Sequence, residues 1–236
     1  VHLEINPDLD IDAAALRFAN QGYVQIPDFL TAASAEAVYE VLAGQTGWQL
    51  AISDVSGKPQ LVDTSQARSD AGRIRTLIAE NTYRAGEQFA YFYLCYPMIQ
   101  NYLTQSEPNH PLNRVTEFLN CPEMIAIGKK LSGHKGVRKL DAQATCFRPN
   151  DFLNLHDDLD RGHRVAAYTL GFTRNWRPDW GGQLLMHTDE GDIRLGLIPR
   201  FNTLTLFQVP VLHSVAPIAP YARHPRYSLT GWLLTE

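Results

Sequence analysis

The chain has 236 residues, of which 44% are hydrophobic and 19% charged, a balance that supports a sizeable buried core and argues against disorder. The formal net charge of −4 gives no basic footprint, so no nucleic-acid partner is expected. No apolar run approaches the ~20 residues that span a bilayer. The opening Val1-His2-Leu3-Glu4 lacks the basic and apolar regions of a signal peptide, and Cys95, Cys121 and Cys146 form no C-x-x-C pair or even-numbered disulfide set. The expectation is a cytoplasmic protein without membrane contact.

Residues 11–20 are Ala-rich with helical spacing, and residues 22–28 read as a short strand running into a Pro-Asp turn. Residues 32–43 predict a helix stopped at Gly44. Residues 53–86 are rich in Ser, Asp, Gly and Arg and poor in apolar periodicity. They predict a long loop with one helical stretch near 71–83, and loops of that length are usually functional or mobile. The aromatic run Phe89, Tyr91, Phe92, Tyr93 and Tyr96 reads either as a core strand or as a wall facing a substrate. At 120–131, Asn120 and Glu123 have capping-box spacing, Pro122 stands in the first turn and Gly133 lies beyond the end, so a helix is predicted.

From residue 138 the pattern changes to short β-like runs punctuated by Gly and Pro: 138–147, 152–156, 164–172, 182–187, 203–209, 211–216 and 226–234. Strands of this length and spacing suggest a sandwich or jelly roll. The chain is read as mainly β with flanking helices (α+β), a single domain over 1–236. Within it, 1–137 is a helical and strand support region and 138–236 is the core.

Histidine and carboxylate one residue apart on a strand project to the same face. A second histidine from a neighbouring strand completes a two-His, one-carboxylate facial triad, which leaves other iron positions open. His156-Asp157-Asp158 supplies such a pair. With 8 histidines and 25 acidic residues the pattern is unspecific by itself, and His187-Thr188-Asp189 repeats it. Context separates them. Between His156 and His213 there is room for the intervening strands, whereas His187 runs into Asp189-Glu190-Gly191-Asp192, a hairpin turn. His213 stands in Val211-Leu212-His213-Ser214-Val215, where a lone histidine is more often a satisfied core residue. The later segment Arg226-Tyr227-Ser228-Leu229-Thr230-Gly231-Trp232 reverses that reading. On a strand, Arg226, Ser228, Thr230 and Trp232 share one face. A buried guanidinium needs an anionic partner, and a ligand dicarboxylate can provide one through a fork-shaped pair.

The ordered set His156-x-Asp158, Gly181-Gly182-Gln183-Leu184, His213 and Arg226-x-Ser228 resembles the 2-oxoglutarate- and Fe(II)-dependent dioxygenase superfamily, most closely its prolyl-4-hydroxylase-like branch. Gly22-Tyr23-Val24-Gln25-Ile26-Pro27-Asp28-Phe29-Leu30 is similar to the opening strand of many members. The resemblance implies a double-stranded β-helix (jelly-roll) core in which His156, Asp158 and His213 bind Fe(II). It also implies that Arg226, assisted by Ser228, binds the far carboxylate of 2-oxoglutarate. Arg223 is an alternative anchor without the x-Ser continuation. Branch members often carry a tyrosine where Phe147 stands, and Thr169 or Tyr168 is left to supply a polar contact. The implied reaction consumes O2, releases succinate and CO2 and hydroxylates a C–H bond, with ascorbate as a stimulant; Asp158 argues for hydroxylation over halogenation. The implied substrate is a prolyl residue of a peptide or protein, or an amino acid. The 53–86 region and Arg174–Trp180 are candidates for contacting it, with Trp176 and Trp180 equally readable as packing anchors. The rival reading is a cupin-type metal-binding jelly roll that does not use 2-oxoglutarate. Arg226-x-Ser228 discriminates against it.

Overall fold

A computed structural model describes residues 2–54, 56, 58–64, 70–159 and 162–236. The N-terminal helix α1 (Ile11–Gln21) is capped by the Asp10 carboxylate, which accepts from the Ala13 N–H, and it ends at Gly22 in the left-handed region. Strand β1 (Tyr23–Ile26) and helix α2 (Ala32–Gly44) follow. The next elements are β2 (Gln49–Ser53), β3 (Pro59–Asp63), α3 (Ala71–Arg84) and β4 (Tyr91–Tyr96). Three helices, α4 (Met98–Thr104), α5 (Leu112–Leu119) and α6 (Pro122–Ser132), lead into the strand-rich half. That half contains β5 (Lys139–Leu140), β6 (Gln143–Phe147), β7 (Phe152–His156), β8 (Arg164–Phe172), β9 (Leu184–His187), β10 (Ile193–Leu197), β11 (Phe201–Gln208), β12 (His213–Val215) and β13 (Arg226–Leu234).

The strands form one curled antiparallel sheet in the order β1-β11-β8-β13-β6-β4-β7-β12-β9-β10, with β2 and β3 added beside β4 and β5 beside β13. Non-consecutive neighbours throughout this order give the double-stranded β-helix, an α+β jelly roll with flanking helices. Period-2 alternation assigns the two faces. On β13, Leu229 and Leu233 join a core with Phe29, Leu42, Leu119 and Leu206, under the helices. On β4, Tyr91, Tyr93 and Cys95 pack with Phe147 and Val215, while Phe92 and Leu94 pack with Leu50 and Phe152. The aromatic run is therefore both core strand and inner wall. No helix among the described residues is long and apolar enough to cross a membrane.

Three expectations need correction. The 53–86 region is not one long loop: β3 pairs with β2 across Gln49↔Asp63 to Ser53↔Pro59, and α3 fills the second half. Among the described residues β3 pairs only with β2, and it is mostly exposed, so it carries no apolar alternation to read. Residues 55, 57 and 65–69 of that region lie outside the described residues. The helix at 122–132 is capped differently from its sequence pattern. Cys121 is the N-cap and makes no side-chain hydrogen bond. Asn120 turns instead to β5, accepting from the Leu140 N–H at 2.9 Å and donating to its carbonyl at 3.1 Å. Finally, β2, β10, α4 and α5 have no counterpart among the predicted elements.

Candidate active site

Strands β7 and β12 are neighbours, and their register sets His213 directly opposite His156. The two imidazole centroids are 4.0 Å apart. The pleat brings these two rings together, but Asp158 arrives by another route. β7 ends at His156, and Asp158 has φ 58, in the left-handed region that Asp tolerates better than most residues. A turn, rather than strand alternation, carries its carboxylate back to the histidines. Asp158 Oδ1 lies 3.8 Å from His156 Nε2, and Oδ2 lies 3.5 Å from His213 Nε2. One donor atom from each of the three residues falls within 4.8 Å of the others.

The outer contacts fix these donors. His156 Nδ1 bonds the Asn154 carbonyl at 2.8 Å, and His213 Nδ1 bonds the Val211 carbonyl at 2.7 Å. Each Nδ1 therefore carries the proton, and each Nε2 presents its lone pair toward Asp158. Burial, reinforced by the neighbouring His213, pulls His156 down to about 4, so it is neutral at physiological pH. Burial alone would raise Asp158. Its contacts with His213, with His156 and with the Trp232 indole N–H outweigh burial and hold the carboxyl below its ordinary value. Trp232 Nε1 donates to Asp158 Oδ2 at 2.9 Å, and the Arg164 guanidinium rests over the Trp232 ring at 3.7 Å while reaching Asp158 Oδ1 at 3.4 Å. Two imidazole Nε2 atoms and a carboxylate converging on one point are a fitting donor set for Fe(II).

The triad opens on a cavity of about 450 Å³ inside the curled sheet. Arg226 lines it from β13 and is 4% exposed. Its Nε has no hydrogen-bond partner, and no carboxylate pairs with it among the described residues. The guanidinium lies over the Phe147 ring at 5.1 Å, and burial lowers its pKa to about 10, which leaves it charged. Gly182 makes room for it, because a Cβ there would meet Arg226 Cδ at 3.3 Å and Ile218 Cδ1 at 2.6 Å. Ser228 sits behind this wall. Its hydroxyl shares a 2.8 Å hydrogen bond with Thr145 Oγ1, and Thr145 is the one of the two that lines the cavity. Thr169 lines it too, opposite Thr230. Tyr168 points the other way, its hydroxyl donating to the Asp141 carbonyl at 2.8 Å.

The rejected alternatives lie elsewhere. His187 is at the end of β9, its Nε2 3.0 Å from Ser214 Oγ, beside a hairpin closed by Thr188 and Asp192. Arg223 is exposed. No residue of Arg174–Trp180 lines the cavity: Trp176 and Trp180 pack edge to face at 5.4 Å, and Arg174 pairs with Glu36 over Tyr39. Both tryptophans are packing anchors. Pro59 and Leu61 of β3, by contrast, reach the cavity mouth. Arg164 and the carbonyls of Asn154 and Val211 were not singled out by motif. Trp232 was legible only as sharing a face with Arg226.

Residues 142–234 match the family model described as the 2OG-Fe(II) oxygenase superfamily. Among solved structures, a Pseudomonas putida prolyl-4-hydroxylase is similar at TM-score 0.55 and 18% identity, covering 95% of this chain and 98% of that one. A Burkholderia pseudomallei oxidoreductase of the 2OG-Fe(II) oxygenase family gives TM-score 0.60 at 12% identity, covering 100% and 96%. A Trichoplax adhaerens prolyl hydroxylase, solved with a fragment of the hypoxia-inducible factor oxygen degradation domain, gives 0.62 at 16%, covering 95% and 89%. No curated protein sequence matches the chain.

Proposed function

We propose, on the premise that this chain belongs to the 2OG-Fe(II) oxygenase superfamily, that His156, Asp158 and His213 hold the Fe(II) and Arg226 holds the far carboxylate of 2-oxoglutarate. The enzyme is a 2-oxoglutarate-dependent dioxygenase of the hydroxylase type. The chemistry supplied when Fe(II) is bound is oxidative decarboxylation of 2-oxoglutarate with O2, giving succinate and CO2 and placing oxygen in a C–H bond. The chain's own residues do the positioning. The Asn154 and Val211 carbonyls fix the imidazole tautomers, the Trp232 indole and Arg164 orient the Asp158 carboxylate, and the walls of the curled sheet shield the reacting groups from water. Arg226 gives the dicarboxylate a bidentate partner. Ser228 supports this subsite through Thr145, and Thr169 adds a hydroxyl to its wall. In this reading the whole chain, 1–236, is one catalytic unit, with 1–137 supporting 138–236.

The observation that carries the reading is a three-donor cluster and, on the same cavity, a buried guanidinium without a counter-ion among the described residues. A metal-binding jelly roll needs the cluster but has no use for the cation. For the substrate, we favour a prolyl residue of a peptide or protein over an amino acid. The similar fold of the prolyl hydroxylases from Pseudomonas putida and Trichoplax adhaerens supports that choice.

The test is succinate formation from 2-oxoglutarate with Fe(II) and ascorbate under air, with and without prolyl peptides. Asp158→Ala should abolish turnover and weaken Fe(II) binding. Arg226→Ala should raise the 2-oxoglutarate requirement steeply, whereas Arg223→Ala should not. Bound Fe(II) with no succinate under any condition would overturn the oxygenase reading.

A further inference from the structure

Strand β13 has partners on both sides at its C-terminal end. Leu234 opposes Lys139 of β5 on one side and Arg164 of β8 on the other. Directly opposed residues share a face. By period-2 alternation Leu234 is on the face of Trp232 and Thr230, which line the cavity. Leu140, opposite Leu233, goes to the helix-covered core instead. Lys139, Leu234 and Arg164 therefore form a cross-strand row at the rim of the cavity. Arg164 lines the cavity itself, and Lys139 is exposed just beyond it. Arg226 stands at the other end of this nine-residue strand, roughly 26 Å away along the chain, so the row is separate from the arginine proposed for the co-substrate.

The charge around the row is one-sided. Asp158 is the only carboxylate among the described residues that line the cavity, and Arg164 and Arg226 are its cations. The turn before β5 adds exposed Lys135 and Arg138 beside the row, with the Arg138 N–H donating to the Leu234 carbonyl at 2.8 Å. In a chain of net charge −4, residues 129–139 hold five lysines and arginines and no carboxylate. The acidic groups nearby do little to cancel this. Asp158 is turned to the two histidines, and Glu236 pairs with His163 at 3.3 Å. Burial raises the pKa of Asp141 against the pull of Arg164 and Lys139. The Pro59, Leu61 and Phe89 side of the mouth carries no charge. A group entering here meets lysine and arginine on one side and hydrocarbon on the other.

We propose that this row receives a carboxylate of the substrate, so that the prolyl residue taken by the site has an acidic neighbour in its peptide. The inference rests on the prolyl reading given above and deepens it. Lys139 supplies an exposed cation at the rim. Arg164 supplies a planar guanidinium already fixed over Trp232, so little further ordering is needed when it binds. A peptide with a cation in that place meets like charges, and this repulsion is the selective element.

The experiment is anaerobic calorimetric titration of the full chain, loaded with Fe(II) and 2-oxoglutarate, with three prolyl peptides. They differ only in carrying glutamate, glutamine or lysine on both sides of the proline. The glutamate peptide should bind most tightly and the lysine peptide least. The difference should shrink in about 1 M salt, where charges are screened beyond about 3 Å. Lys139→Glu changes one exposed side chain and should melt as the wild type does. It should bind the glutamate peptide about 5-fold more weakly, one exposed attraction being replaced by a repulsion, and the lysine peptide more tightly. Lys139→Arg should behave as the wild type. Equal affinity for the three peptides overturns the proposal, as does a glutamate preference that Lys139→Glu leaves intact. So does a single-stranded oligonucleotide that binds more tightly than the glutamate peptide, which would assign the row to a phosphate backbone. The same three peptides with alanine in place of proline separate the two levels. Glutamate preference without proline preference removes the prolyl reading and keeps the carboxylate; proline preference without glutamate preference does the reverse. No binding by any peptide overturns both.

Discussion

The Trp232 indole gives a sharp test of how the metal site is built. Trp232→Phe deletes one N–H and retains an aromatic ring for the Arg164 guanidinium, which now rests 3.7 Å from the indole centroid. The lost bond is 2.9 Å long and ends on an ionised carboxylate whose side chain is 12% exposed. Hydrogen bonds to charged groups contribute roughly 1.5–3 kcal/mol, and the residual solvent contact of Asp158 favours the lower part of that range. About 1.5–2 kcal/mol corresponds to ~10–30-fold weaker metal binding, within the ~10–100-fold typical when a group that orients a ligand is removed. The assay is titration of metal-stripped protein with Co(II), following its visible absorption and its affinity, with a thermal melt to verify folding. The expected result is a folded variant with weakened affinity and an altered spectrum. Wild-type affinity and spectrum would refute the idea that Trp232 positions Asp158.

Two further predictions address residues outside the triad. His187→Ala should leave Fe(II) affinity unchanged and lower stability by about 1 kcal/mol, the usual worth of its hydrogen bond to Ser214; a collapse of iron binding would move the metal site to β9. Asp151 is buried against Arg148, and burial raises its pKa to about 6. Because the folded state holds this proton more tightly than the unfolded state, stability should be fully present below about pH 4. It should fall by about 2–3 kcal/mol as the pH rises through about 6. Denaturant melts of Asp151→Asn should lack that pH-dependent step, and an unchanged profile would count against it.

Much of the site was legible in the chain because its signals are local. His156-x-Asp158 and Arg226-x-Ser228 announce themselves by residue type and spacing, and the period-2 face of 226–232 placed Arg226, Thr230 and Trp232 together before any coordinates. The choice of His156 over His187 also followed from local chemistry, since Asp189–Asp192 reads as a turn. Even so, the reason first given for the pair was incomplete: Asp158 reaches the site through a left-handed turn beyond the end of β7. The exposed edge strand β3 left no periodic trace, because one mostly solvated strand has no apolar face to advertise.

By itself, then, the amino-acid order determined the strand-rich core, the three candidate iron ligands and the arginine proposed to receive a dicarboxylate. Tertiary structure alone decided what surrounds them. Pairing of β5, β13 and β8 put Lys139, Leu234 and Arg164 in one row, and the fold laid Trp232 and Arg164 against Asp158. It also turned Tyr168 toward Asp141, leaving Thr169 on the cavity wall. Strand parity is set by which face is buried, and cross-strand neighbours by register. Both depend on contacts between residues distant in sequence, so no local pattern encodes them.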